Sequence, residues 1–167
     1  MWRRRADDFP PDCADSTTGI DISEQRVALL RERIRGAVFV QADMTRFHAD
    51  PGTSDGVAAF YSLIHLTLGE LQPMLSRISS WLRPGGVLGA SLGARGAGEH
   101  LDVGWSAGAA RYWSSYTTTE TLRFVQDAGL KVTVQAVGSN VEDGEAAPLL
   151  LGLWVIARKR LAAPIHG

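Results

Sequence analysis

The feature that most constrains this chain is an alternation. From Thr17 onward, short runs rich in β-branched and aromatic residues are separated by stretches with apolar positions three and four apart. That order predicts an α/β fold, a mostly parallel sheet flanked by helices. Residues 18–22 read as a strand, and Ser23 caps a helix with Val27, Leu30 and Ile34 on one face, ended by Gly36. Residues 37–41 and 56–61 are the next strands, the second entered from the turn Pro51-Gly52-Thr53-Ser54-Asp55. A helix over 68–82 carries Leu71, Leu75, Ile78 and Leu82 until Arg83-Pro84-Gly85-Gly86 breaks it. Strand 87–92, a glycine-rich loop over 93–108 and helix 119–128, closed by Gly129, come next. Strands 130–137 and 149–157 finish the chain, and their polar connection suits a hairpin that sets an antiparallel strand at the sheet edge.

With 167 residues, 45% of them hydrophobic and 21% charged, the chain has the balance of one domain, expected over residues 17–160 between an irregular leader (1–16) and a short tail (161–167). A net charge of −1 offers no basic excess to a phosphate backbone, so nucleic acid is not an expected partner. One cysteine, Cys13, cannot form an internal disulfide, which fits a reducing, cytoplasmic setting. The longest apolar run, 148–157, is half of the roughly 20 residues a spanning helix needs, so no membrane segment is expected.

Gly19-Ile20-Asp21-Ile22-Ser23, followed by a helix, a strand and Gln41-Ala42-Asp43-Met44, resembles the second and third strand ends of class I S-adenosylmethionine-dependent methyltransferases. Residues 55–66, Asp-Gly-Val-Ala-Ala-Phe-Tyr-Ser-Leu-Ile-His-Leu, resemble the fourth strand and its loop, and Trp81-Leu82-Arg83-Pro84-Gly85-Gly86 the turn that follows. Tyr112-Trp113-Ser114 before a helix resembles the small-molecule branch of that family. The resemblance implies S-adenosylmethionine as cofactor and a small-molecule acceptor. In open α/β sheets, ligands lie outside the carboxyl ends of the strands. Asp21, with Ile22 beside it, is therefore placed to accept the ribose hydroxyls; a helix-starting Asp is the plain alternative. The resemblance puts Asp43 on the adenine amino group and the Met44 amide on a ring nitrogen. It puts Phe60 and Tyr61 near the methionine part and sulfonium, where an aromatic face suits a cation; core packing is the other reading. His65 falls near the acceptor as a base, or is a polar surface residue. Tyr112 and Trp113 belong to the acceptor pocket or to the core.

The departure from the family is at the front. Such an enzyme opens with an apolar strand and a Gly-x-Gly loop, yet residues 1–16 contain no glycine, no apolar run and the pair Pro10-Pro11. The absent strand is expected at the centre of the sheet, which leaves both neighbours with open edges for a second copy of the chain to cover. Reading one base later across Met1-Trp2-Arg3 gives Cys-Gly whichever Arg codons are used, so a frameshift is the expected origin of this leader. Three readings follow: a small-molecule methyltransferase with weakened or lost cofactor binding, a non-catalytic subunit of the same fold that oligomerises, and a nicotinamide-dependent oxidoreductase. The last is disfavoured, because its glycine fingerprint is equally absent and the Pro84-Gly85-Gly86 turn with a closing hairpin fits it less well.

Overall fold

The computed structural model describes residues 17–106, 109–140 and 150–161. The expectations for the leader, the frameshift within it, the 141–149 connection and the end of the tail fall outside those residues. The chain divides into two compact units, Met1–His48 and Ala49–Gly167.

In the first unit, β1 (Thr17–Asp21) and β2 (Ala37–Gln41) pair in parallel, with α1 (Glu24–Arg33) between them in sequence. The Ser23 hydroxyl accepts from the Arg26 amide at 3.3 Å, satisfying one of the donors a helix start leaves over. Val27 is the buried contact of α1. The helix stops one residue before Ile34, which becomes an extended C-cap and is exposed rather than part of the apolar face. Gly36 then takes φ +85°, a reversal that favours glycine. Arg31 ties the helix to the sheet through the Phe39 carbonyl, with Nε at 3.0 Å and Nη2 at 2.6 Å.

The second unit contains β3 (Ser54–Ala59), a 3₁₀ turn (Leu63–His65), α2 (Leu68–Trp81), β4 (Leu82–Gly93), β5 (Arg95–Ser106), β6 (Ala109–Thr117), α3 (Thr118–Asp127), β7 (Leu130–Asn140) and β8 (Leu150–Lys159). Its main sheet has the order β3-β4-β8-β7, with β3 and β4 parallel and β8 antiparallel to both neighbours. The closing hairpin and its antiparallel strand are as expected from the sequence, but β8 lies inside the sheet and β7 takes the edge. The side chains explain this. Leu153, Val155 and Ala157 of β8 are buried, whereas Val134 and Val137 of β7 are more than half exposed.

Alternation along these strands sorts side chains to two faces. Leu88, Ala90 and Leu92 of β4 are buried with Leu153, Val155 and Ala157 of β8, on the face that also takes up Leu71, Leu75 and Ile78 of α2 and Val125 of α3. The opposite face presents Ala58, Ser91, Trp154 and Ile156. Among the described residues, neither the outer edge of β1 nor that of β3 has a strand partner.

The expected loop over 93–108 is instead mostly strand, because β5 pairs antiparallel with β6 from Arg95↔Thr117 to Ser106↔Ala109. Its glycines gather at the start, where the register shifts between Arg95 and Gly98 and Gly96 adopts φ +113°. Gly93 lets this hairpin sit against the end of β4: a Cβ there would meet Ser115 Cβ at 2.5 Å and the Ser114 carbonyl oxygen at 2.8 Å.

Both helices of this unit are started by a Thr-x-x-Glu pattern. Glu70 Oε2 accepts from the Thr67 amide and hydroxyl at 2.9 and 2.7 Å. Glu120 Oε2 accepts from the Thr117 amide at 3.0 Å, while the Thr117 hydroxyl accepts from the Glu120 amide at 3.2 Å. Loss of this cap in Thr117→Ala is expected to lower unfolding stability by about 1 kcal/mol, read as a lower urea midpoint at unchanged slope. Gly93→Ala should cost more, about 1–3 kcal/mol, since backbone must move to admit the methyl. A Gly93→Ala midpoint equal to wild type would show that the hairpin is not packed this closely.

Candidate functional site

Each parallel strand pair brings its candidate residues to its carboxyl end. In the first unit, the Ala42 amide donates to the Asp21 carbonyl at 3.0 Å, which sets the end of β1 beside the loop that carries Asp43. Asp21 Oδ1 accepts from the Ser23 amide at 2.8 Å, so it helps to start α1; Oδ2 has only the exposed Arg26 guanidinium at 3.9 Å. One oxygen is thus engaged in the start of α1, and the other has only this longer ion-pair approach among the described residues. Ile22 is 72% exposed beside it. Asp43 Oδ1 accepts from the Thr45 amide and hydroxyl at 2.8 and 2.7 Å, and the Asp43 carbonyl accepts from the Arg46 and Phe47 amides. This turn fixes the loop through Met44, which is half-buried.

In the second unit, Phe60 and Tyr61 follow β3. Phe60 lies over Gly89, where a Cβ would meet its Cζ at 3.3 Å. Trp154 gathers the pair, with ring centroids 5.6 Å from Phe60 (tilted 37°) and 5.5 Å from Tyr61 (edge-on, 85°). Phe60 remains 50% and Tyr61 48% exposed, so neither is core fill. Tyr61 has φ +55°, an uncommon backbone state for a side chain of this size, and its amide donates to Ser91 Oγ at 2.6 Å.

His65 ends the 3₁₀ turn with its ring exposed, and its Nδ1 lies 2.6 Å from the Tyr112 carbonyl oxygen. The structure therefore joins His65 to Tyr112 through the backbone. Tyr112 and Trp113, adjacent on a strand, point to opposite faces. Trp113 is buried, stacks on His100 (5.9 Å, 29°) and lines a cavity of about 800 Å³ along β5 with Arg95, Glu99, His100, Leu101 and Val103. Tyr112 instead turns toward Glu99, whose Oε1 accepts from the Leu68 amide at 3.2 Å. No group of three or more His, Cys, Asp or Glu among the described residues is arranged to hold a metal.

Trp154, Ser91, Glu99 and His100 were not expected from the sequence. Trp154 was assigned to a strand with nothing to mark which aromatics it would meet. Glu99 and His100 were hidden by the glycines around them, although Leu101 and Val103 keep the alternation of a strand.

Loss of hydration, then the Glu99 carboxylate, pushes the Tyr112 phenol up to about 12. Contact with Tyr112 and the Leu68 amide holds Glu99 below the usual carboxylate value. A phenol raised in the folded state favours folding fully below its unfolded value of about 10, and that contribution disappears as pH rises toward 12. Alkaline titration of phenolate absorbance should show a late step near pH 12 from Tyr112. Tyr112→Phe should remove that late step, and a late step that persists in the variant would contradict the assignment.

A family model for a methyltransferase domain matches residues 4–86. No curated protein matches the sequence. Among solved structures, a SAM-dependent methyltransferase from Methanosarcina mazei superposes with a TM-score of 0.72 at 15% identity, covering 95% of this chain and 90% of that one. An S-adenosylmethionine-dependent methyltransferase from Mesorhizobium loti gives 0.67 at 16% identity, over 87% and 81%. The 1,6-didemethyltoxoflavin-N1-methyltransferase of Burkholderia thailandensis, with its substrate and S-adenosylhomocysteine bound, gives 0.62 at 19% identity, over 86% of this chain and 60% of that one. The chain thus matches a methyltransferase-domain model over residues 4–86 and shares the fold of S-adenosylmethionine-dependent methyltransferases of solved structure.

Proposed function

We propose that this chain binds S-adenosylmethionine and supports methyl transfer to a small-molecule acceptor. The observation that carries the reading is the pair Asp21 and Asp43, the first at the carboxyl end of β1 and the second just past that of the parallel β2. Ionised carboxylates only accept hydrogen bonds, so they suit hydroxyl and amino donors such as those of an adenosine. The donor set fits: Asp21 Oδ2 is open to ribose hydroxyls, and Asp43 with the Met44 amide offers an acceptor and a donor to adenine. Ile22 adds apolar surface beside the ribose. Phe60 and Tyr61, half-exposed over Trp154, present aromatic faces that suit a sulfonium.

The cofactor supplies an activated methyl group. The protein's part is alignment more than proton chemistry, because transfer requires nucleophile, methyl and sulfur in line. His65 takes the proton released by an attacking oxygen or nitrogen, through Nε2, since Nδ1 faces the Tyr112 carbonyl. Trp113 bounds the acceptor from β6, while Tyr112, on the opposite face, holds His65 through its carbonyl. The Burkholderia thailandensis enzyme of the same fold, with 1,6-didemethyltoxoflavin bound, supports a small acceptor.

A second reading, a non-catalytic subunit of this fold, is favoured by the outer edges of β1 and β3, which have no strand partner among the described residues. It expects no cofactor binding and a stable oligomer. Calorimetric titration with S-adenosylhomocysteine decides between them. Saturable binding, weakened about tenfold or more by Asp21→Ala, supports the first. No heat from a folded chain that sediments as an oligomer replaces it with the second.

A further inference from the structure

The β5–β6 hairpin touches the 65–68 segment in a regular way. Tyr112, Ser114 and Tyr116 are alternate residues of β6 and share one face. Each meets the backbone or ring of the short segment between the 3₁₀ turn and α2. The Tyr112 carbonyl oxygen lies 2.6 Å from His65 Nδ1, Ser114 Oγ donates to the Leu66 carbonyl at 2.5 Å, and the Tyr116 hydroxyl donates to the Leu68 carbonyl. From β5, Glu99 Oε1 accepts from the Leu68 amide at 3.2 Å. Ser114 is buried and Tyr116 is braced edge-on against Phe124 of α3 at 4.8 Å.

A peptide carbonyl has no proton to give, so the short contact to His65 requires the proton on Nδ1. The neutral ring then carries its lone pair on Nε2, the nitrogen that faces away from the strand. We infer that the β5–β6 hairpin is a clamp that fixes His65 in its Nδ1-protonated tautomer, and that Ser114 is the positioning residue that keeps the clamp engaged. The clamp stands on its geometry alone; its consequence for methyl transfer rests on the reading of His65 as the acceptor's base.

The test is a long-range ¹H–¹⁵N correlation of the full chain, labelled with ¹⁵N and held at a pH where imidazoles are neutral. His65 is one of four histidines, and its signals are those that vanish in His65→Gln. The expected pattern has Nδ1 protonated and Nε2 bare. Ser114→Ala strands the Leu66 carbonyl and should move that pattern toward a mixture of tautomers. Tyr116→Phe releases the other end of the ladder and carries the same test if Ser114→Ala does not fold. A wild-type His65 protonated on Nε2, or a pattern unmoved in both variants, overturns the proposal. With an acceptor in hand, Ser114→Ala should lower kcat roughly tenfold at unchanged KM, the signature of a misaimed group rather than lost binding. If the tautomer is as stated but His65→Gln transfers methyl at the wild-type rate, the clamp stands and the base assignment fails.

Discussion

Leu75, Leu82, Leu88, Leu130 and Leu153 have no exposed surface, and their burial between one sheet face and two helices orders the whole Ala49–Gly167 unit. Each such side chain contributes about 1.5–3 kcal/mol of transfer free energy, and because strand side chains alternate, filling this face decides what the other must present. Phe60, Ser91, Trp154 and Ile156 are placed by that parity. The aromatic group around Trp154 is thus a consequence of where the leucines went.

The same logic explains how much was readable in the sequence. Helix α2 declared itself through periodic apolar residues and α3 through its closing Gly129, and both are found with their boundaries nearly intact. The strand end bearing Asp21 was legible because a strand leading into a capped helix leaves little freedom for where the chain turns. The β5–β6 hairpin was not legible, since its glycines mark both flexible loops and irregular registers, and only pairing with β6 separates the two. The inner position of β8 was equally hidden, because a hairpin pattern reports that two strands pair and not which of them meets a third.

Among the candidate residues, local chemistry was read more reliably than company. A carboxylate past a strand end has its setting dictated by its own neighbours in sequence: Ser23 for Asp21, Thr45 for Asp43. His65 and Tyr112 are 47 residues apart, and nothing in either segment announces the other. Adjacent Tyr112 and Trp113 looked like one feature in the sequence, yet the strand turns one toward Glu99 and the other onto His100.

The strand order β3-β4-β8-β7 also bears on the birth of the protein. A chain emerging from the ribosome makes β3, β4 and β7 well before β8, so the piece that must lie between β4 and β7 is the last to appear. Until Leu150–Lys159 is free of the exit tunnel, β7 has no strand to pair with and the leucine face lacks Leu153, Val155 and Ala157. Completion of this sheet therefore waits on β8 and depends on long-range contacts that form slowly. During that wait, the nascent chain carries exposed apolar strands that chaperones recognise.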